Sequence, residues 1–242
     1  MLFRSVGLDK QLAKLDAAYQ GKVKGILCNV VDEENVQAMI AEAASFFNGP
    51  FDILINCAGK GQSGLFSATP DSPEITKRTN FKVESNERWA DIFSINFYGP
   101  LYGCRHVLPI MIQQGSGQIV NIISGLAYLG LPYSDIYASS KAALNALTLA
   151  LRYEYWDSGI KINAATPGVV ATPIFEKSGG KMPTNAQSPE MAAKRILVGV
   201  SQNERLIHGD NEDIFLAAYW GAPKYATTMD RYMADVVEVI IK

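Results

Sequence analysis

Three side chains in the middle of this sequence have the types and spacing to move a proton to or from an oxygen. Ser124 closes an apolar run, Tyr137 lies thirteen positions on, and Lys141 four beyond that. Tyr137 and Lys141 are i and i+4, so on a helix they share one face. A free phenol titrates near ~10 and is a poor acid or base at neutral pH. An ammonium held beside it favours the phenolate and brings it toward the useful range. A serine hydroxyl from the adjacent strand end could hydrogen-bond a substrate carbonyl and steady charge as it develops. Tyr-x-x-x-Lys alone is common and is usually a solvated pair. A strand-ending serine, a Gly/Pro-containing loop and a helix start, in that order, set this one apart.

The elements that must position these groups alternate along the chain. Leu2–Arg4 reads as the end of a strand, and leucines at helical spacing predict a helix over 8–19, stopped by Gly21. Lys22–Cys28 reads as a strand, and Asp32 caps a helix running to Phe47. Phe51–Ile55 is a short apolar strand of the kind buried in a parallel sheet. Gly59 to about Ser85 reads as a long loop, and helical pattern returns from Asn86 to Gln114. Then come a strand at Gln118–Ile123, a long helix at Ser134–Trp156 and a strand at Lys161–Ala165. A helix at Pro189–Ser201, a strand at Arg205–His208 and helices at Ile214–Tyr219 and Thr228–Ile241 complete the chain. With no linker and no repeat, this predicts a single α/β domain over 1–242, doubly wound around a mostly parallel sheet. Ligands of such sheets sit outside the carboxyl ends of the strands, which directs attention to the loops after Ile55, Ile123 and Ala165.

Composition removes other classes of function. The 242 residues carry 22 basic and 24 acidic side chains, a net charge of −2, which gives no basic surface for nucleic acid or anionic membrane. No run of 18 apolar residues predicts a membrane span. Cys28, Cys57 and Cys104 are too few and too scattered for a disulfide framework, and with only two histidines, His106 and His208, no metal site is expected. A cytoplasmic setting fits this cysteine usage.

The order of motifs resembles the short-chain dehydrogenase/reductase family, over about residues 2–210. Asn56-Cys57-Ala58-Gly59 is similar to its Asn-Asn-Ala-Gly motif, Asn96 matches its helix asparagine, and Ser124, Tyr137 and Lys141 match its Ser…Tyr-x-x-x-Lys spacing. Pro167-Gly168-Val169-Val170-Ala171-Thr172 matches its Pro-Gly segment. The resemblance implies a Rossmann-like fold and an NAD(P)-dependent interconversion of an alcohol and a ketone or aldehyde. Tyr137 would be the acid/base, Lys141 would lower its pKa and hold the nicotinamide ribose, Ser124 would orient the carbonyl, and Asn96 would anchor a water beside Lys141. Asn29, Val30, Asn56, Ala58, Gly59, Pro167, Gly168, Val170 and Thr172 would contact cofactor, together with Tyr137 and Lys141. Arg4, with no acid beside it, favours NADP(H) over NAD(H).

The family's Thr-Gly-x-x-x-Gly-x-Gly turn has no match here. The resemblance therefore implies an N-terminally truncated sheet whose first strand, glycine-rich turn and first helix are missing. Gly59-Lys60-Gly61-Gln62-Ser63-Gly64 fits G-x-G-x-x-G but is read as an ordinary loop, since no helix is expected after it. Tyr128 and Tyr133, lacking a lysine four residues on, are read as pocket wall. The aromatic stretch Phe215–Trp220 and the flexible Gly179–Asn185 hint at an apolar small-molecule substrate. A homodimer or homotetramer is expected. The competing reading is a catalytically incompetent fragment or pseudoenzyme that serves for binding or dimerisation.

Overall fold

The computed structural model describes residues 22–177, 182–219 and 226–241, with Lys224 and positions 13, 15 and 17–19. Four parallel strands form its sheet in the order β1 (Ile53–Asn56), β2 (Gly117–Ile122), β3 (Ile160–Thr166), β4 (Leu206–His208). Between and around them run α1 (Glu33–Phe47), α2 (Ser72–Thr79), α3 (Asn86–Phe93), α4 (Gly99–Gln114), α5 (Asp135–Glu154), the short α6 (Ile174–Lys177), α7 (Pro189–Ser201), α8 (Asn211–Tyr219) and α9 (Ala226–Ile241).

Alternation along the strands sorts the core onto two faces. Ile119, Ile160 and Ile162 pack against Val36 and Ile40 of α1 and against Cys104, Val107, Leu108 and Met111 of α4. Val120, Ala165 and Ile207 point the other way, onto Ile196 and Val200 of α7. The sheet is thus covered on both faces, the doubly wound arrangement the alternation predicts. At β1 the second face is thin: Ile53 and Ile55 are each 46% exposed, and no described residue pairs with the outer edge of that strand.

Two expectations need correction. Lys22–Cys28 is not a strand: residues 22–29 have no regular structure and pair with no described strand, since β-favouring composition makes a strand only where it is paired. The loop over 59–85 contains α2, which starts with Pro73 in its first turn and ends on Asn80 in the left-handed region. Ser72–Thr79 has a single aliphatic side chain, Ile75, and so shows no periodicity to read. The stretch 86–114 is helical as expected, with a π-helical turn, Ser94–Tyr98, between α3 and α4. Pro100 cannot donate to the carbonyl of Asn96 four residues back, and the helix widens there. The strand end at residues 2–4 lies outside the described residues; of the helix expected over 8–19, the described positions 13, 15 and 17–19 are helical.

A buried polar network links β1, β2 and the two helices over them. Asn56 Nδ2 donates to Asn121 Oδ1 at 2.8 Å, and Asn121 Nδ2 donates to Thr148 Oγ1 of α5 at 2.9 Å. Gly103 of α4 lets this network close, since a Cβ there would lie 2.5 Å from Asn56 Oδ1. Alanine favours a helix over glycine by about 1 kcal/mol, so a net loss isolates the clash. Gly103→Ala is expected to destabilise the fold by about 1–3 kcal/mol, read from thermal unfolding. An unchanged melting temperature would show that Asn56 moves aside freely.

Candidate active site

Parallel pairing brings the carboxyl ends of β1, β2 and β3 to one edge, and the loops that leave them carry the candidate residues. Ser124 follows β2 in extended conformation, and its Oγ accepts the Leu126 amide at 3.2 Å to cap the 3-10 turn Gly125–Ala127. The Tyr137 phenol lies close enough to Ser124 for the serine hydroxyl to favour the phenolate. One turn further along α5, Lys141 is 4% exposed and its Nζ donates to the Ile122 carbonyl at 2.8 Å, 5.9 Å from the centre of the Tyr137 ring. The serine, tyrosine and lysine are brought together at one point.

Asn96 is fully buried behind them. Its Oδ1 accepts the Lys60 amide at 2.8 Å, and its Nδ2 donates to the Lys60 carbonyl and to Ser140 Oγ, both at 3.0 Å. Ser140 Oγ in turn donates to the Tyr137 carbonyl at 2.7 Å. The asparagine side chain thus fastens the loop after β1 to the backbone of the tyrosine. Gly59 completes the floor: a Cβ there would be 3.5 Å from Lys141 Nζ and 3.6 Å from Asn96 Oδ1.

Residues 4–183 match the short chain dehydrogenase family. The chain belongs to that family. A 2-(R)-hydroxypropyl-CoM dehydrogenase of Xanthobacter autotrophicus is 35% identical over 162 residues, 66% of this chain and 58% of that protein's length. An uncharacterised oxidoreductase of Staphylococcus aureus is 30% identical over 185 residues, covering 76% of this chain and 72% of that protein. Among solved structures, ElxO with NADP bound is 25% identical and superposes with a TM-score of 0.67, covering 85% of each chain.

In this short-chain dehydrogenase the Pro167–Thr172 segment is held from outside itself. Gly168 turns with φ +71° and its amide donates to Asp213 Oδ2 at 3.1 Å, while the Val169 amide donates to Asp210 Oδ2 at 3.1 Å. Gln187 Nε2 donates to the Pro167 carbonyl at 2.9 Å, and Val170 bridges to Gln187. Val30, Asn56, Cys57, Ala58 and Gly99 line a cleft of about 130 Å³ at the end of β1. The Asn56 amide hydrogens are taken up by Asn121 Oδ1 and by the Pro100 carbonyl. Asn29 accepts the Asp32 amide through its backbone carbonyl, in the turn that carries Val30 to the cleft. Arg4 lies outside the described residues, as do Gly179, Gly180, Lys181 and Trp220 of the expected substrate-side segments. The glycine loop after β1 runs into no helix.

Burial dominates the electrostatics. It pushes the Tyr137 phenol above its ordinary value; the Ser124 hydroxyl opposes this, and the charge of Asp213 adds to it. Burial pulls Lys141 down to about 8, with Cys57 acting the other way. Asp213, 6% exposed, is pushed up to about 6, chiefly by burial, against a hydrogen bond from Thr166 and with Asp210 adding to the rise. Sequence reasoning missed Asp213, Asp210 and Gln187: each acts on a segment twenty or more residues away, and no local pattern marks them.

Between about pH 4 and pH 6 folded Asp213 keeps a proton that the unfolded chain has released, so its share of stability falls as pH rises through that window. Asp213→Asn keeps an acceptor for the Gly168 amide and removes the charge. Its stability relative to the parent should be near zero at pH 4 and grow to at most about 3 kcal/mol by pH 7, followed by thermal unfolding across pH. A pH-independent difference would contradict this account.

Proposed function

We propose that this short-chain dehydrogenase interconverts an alcohol and a ketone or aldehyde with a nicotinamide cofactor, Tyr137 acting as general acid and base. The observation that carries the reading is the convergence of Ser124, Tyr137 and buried Lys141 beyond β2, with Lys141 fixed by one hydrogen bond to the Ile122 carbonyl. An ammonium has three donors, so Lys141 has two left for other oxygens. The glycine floor at Gly59 and the pinned turn at Gly168 fit a flat ring and its ribose laid against Lys141. A pyrophosphate seat of the family's glycine-rich kind has no counterpart among the motifs of this sequence. The nicotinamide end of the cofactor is accordingly assigned to Lys141, Gly59 and the Gly168 turn.

When bound, the nicotinamide supplies or accepts hydride. Tyr137 holds at its Oη the proton that passes to the carbonyl oxygen, or takes it from the alcohol in the reverse direction. Ser124 Oγ, beside that phenol, orients the same oxygen and stabilises its developing charge. Lys141 places a cation next to the ring, so a phenolate formed there is favoured over one in an apolar pocket. Asn96 and Ser140 hold the Tyr137 backbone still, which keeps the acid in place for the transfer. Asn29, Val30, Ala58, Pro167, Val170 and Thr172 are assigned to cofactor contact on the strength of their positions around the cleft and turn.

NADP(H) is the proposed preference, on Arg4 and on the NADP held by ElxO; titrating NADPH and NADH in parallel decides it. Reduced cysteines support a cytoplasmic setting. The apolar groove of about 310 Å³ between α4 and α5, flanked by exposed Ile112, supports a homo-oligomer.

Tyr137→Phe is expected to lower carbonyl turnover by at least about a thousandfold, within the range general acid–base catalysis supplies, while NADPH still binds by fluorescence titration. Turnover at the parent rate would remove Tyr137 from the chemistry. Absence of any NADPH binding by the parent protein would remove the oxidoreductase reading itself.

A further inference from the structure

We propose that Gln62 is a positioning residue for Tyr137, acting as a long-range N-terminal cap on the helix that carries it. The inference rests on the reading of Tyr137 as the acid/base. Helix α5 begins at Asp135 with its first-turn amides unpaired within the helix, and Ser134, at the capping position, offers no side-chain hydrogen bond. Ala138 makes the first intrahelical bond, to the Ser134 carbonyl at 2.8 Å. The Tyr137 amide is satisfied from 75 positions away: it donates to Gln62 Oε1 at 3.2 Å. On its other side the Tyr137 carbonyl accepts from Ser140. The tyrosine backbone is therefore held at both its donor and its acceptor, and Gln62 is one of the two clamps.

The chemistry of the surroundings explains why the cap is an amide. Gln62 is 2% exposed, and its Nε2 donates to Glu84 Oε1 at 2.7 Å and to Asp135 Oδ1 at 3.4 Å. The Glu84 side chain is 1% exposed and pairs with Arg88; Asp135 Oδ2 is buried without a hydrogen-bond partner among the described residues. The groups facing Gln62 are thus two carboxylates, one of them paired with an arginine, and one backbone amide. Only an uncharged side chain that accepts at one atom and donates at the other satisfies all three. A glutamate would bring a third negative charge into the cluster, and a leucine would leave the Tyr137 amide and both acids without this partner. Gly64 belongs to the same device. A Cβ on it would lie 1.7 Å from Glu84 Oε1, so glycine is what lets the loop after β1 press Gln62 between the acids and α5.

A cap of this kind does not touch substrate, so its loss should act on the placement of the acid and leave the cofactor contacts alone. Gln62→Leu is expected to raise hydrogen exchange at the Tyr137 amide about tenfold relative to Leu144 in the same helix, and to lower kcat about tenfold, with the KM for NADPH changed less than threefold. Gln62→Glu supplies the readout that a merely structural role would not give. Flanked by Glu84 and Asp135, the introduced carboxyl should hold its proton above the ordinary carboxylate range and, protonated, reproduce the amide's donor and acceptor. At pH 5.5 this variant should approach the parent in Tyr137 amide protection and kcat, and both should fall about tenfold by pH 8 as the carboxyl ionises. The parent should show no such fall in Tyr137 amide protection between those values, and kcat is compared as the variant-to-parent ratio at each pH, because Asp213 and Lys141 titrate within this range in both proteins. Parent-like Tyr137 exchange in Gln62→Leu overturns the proposal, as does a Gln62→Glu variant that tracks the parent at every pH. If the parent binds NADPH but reduces no carbonyl, the oxidoreductase reading fails instead, and the exchange measurements still decide the cap.

Discussion

The ammonium of Lys141, enclosed at the end of β2, is the constraint on which the geometry of this protein depends. A cation taken out of water is costly unless it is hydrogen-bonded, and here its bond goes to the carbonyl of Ile122. That carbonyl belongs to the last residue of β2, which pairs with Ala165 of β3, so the position of the charge is fixed by the register of the sheet. The cost is visible in the fall of the Lys141 pKa to about 8. Evolution toward stability alone would replace such a lysine with an aliphatic residue; retaining it makes sense where the charge has chemical work.

Apolar packing could not set that geometry by itself, because it is non-directional and tolerates small slides of a helix over a sheet. Helix α5 is instead registered by polar bonds at three heights. Near its start Lys141 reaches Ile122, in its middle Thr148 accepts from Asn121, and near its end Arg152 donates to the Ile162 carbonyl at 2.7 Å. These partners lie on β2 and β3, so the helix is tied to both strands whose ends carry the site. A slide of one residue would break all three bonds. Burial makes each break expensive, since every partner left behind would be shielded from water.

How much of this could be read from the sequence follows from the range over which each signal acts. Tyr137 and Lys141 are one helical turn apart, and the strand before Ser124 is mostly apolar, broken only by Asn121 after Ile119 and Val120; both are local patterns. The doubly wound fold was legible for the same reason, since alternating periodicity reports element type. Lys22–Cys28 misled because strand character is completed by a neighbour, and composition does not say whether one is present. The polar helix at Ser72–Thr79 escaped because it buries little, and Pro73 in its first turn and Asn80 at its C-cap look like loop residues. Gln62 and Asp213 were invisible. Their partners are 75 and 45 positions away, and only the closed fold brings a glutamine to a tyrosine amide or an aspartate to a glycine turn.

The proton affinity of Tyr137 is the outcome of opposed influences that these distant residues help set. Ser124 favours the phenolate; burial and the carboxylate of Asp213 oppose it, and burial is the largest of the three. The phenol therefore keeps its proton through neutral pH, the form from which a carbonyl oxygen can be protonated. Asp213 occupies an unusual place in this balance. The same carboxylate that receives the Gly168 amide, and so shapes the turn over the site, also adds, less than burial does, to the rise in the proton affinity of the tyrosine. Its own value of about 6 means that it is largely charged at neutral pH, where both effects are strongest. The backbone clamp from Gln62 and the charge from Asp213 reach the tyrosine independently, one through its amide and one through space. Placement and protonation of a single phenol are thus set by different parts of the chain.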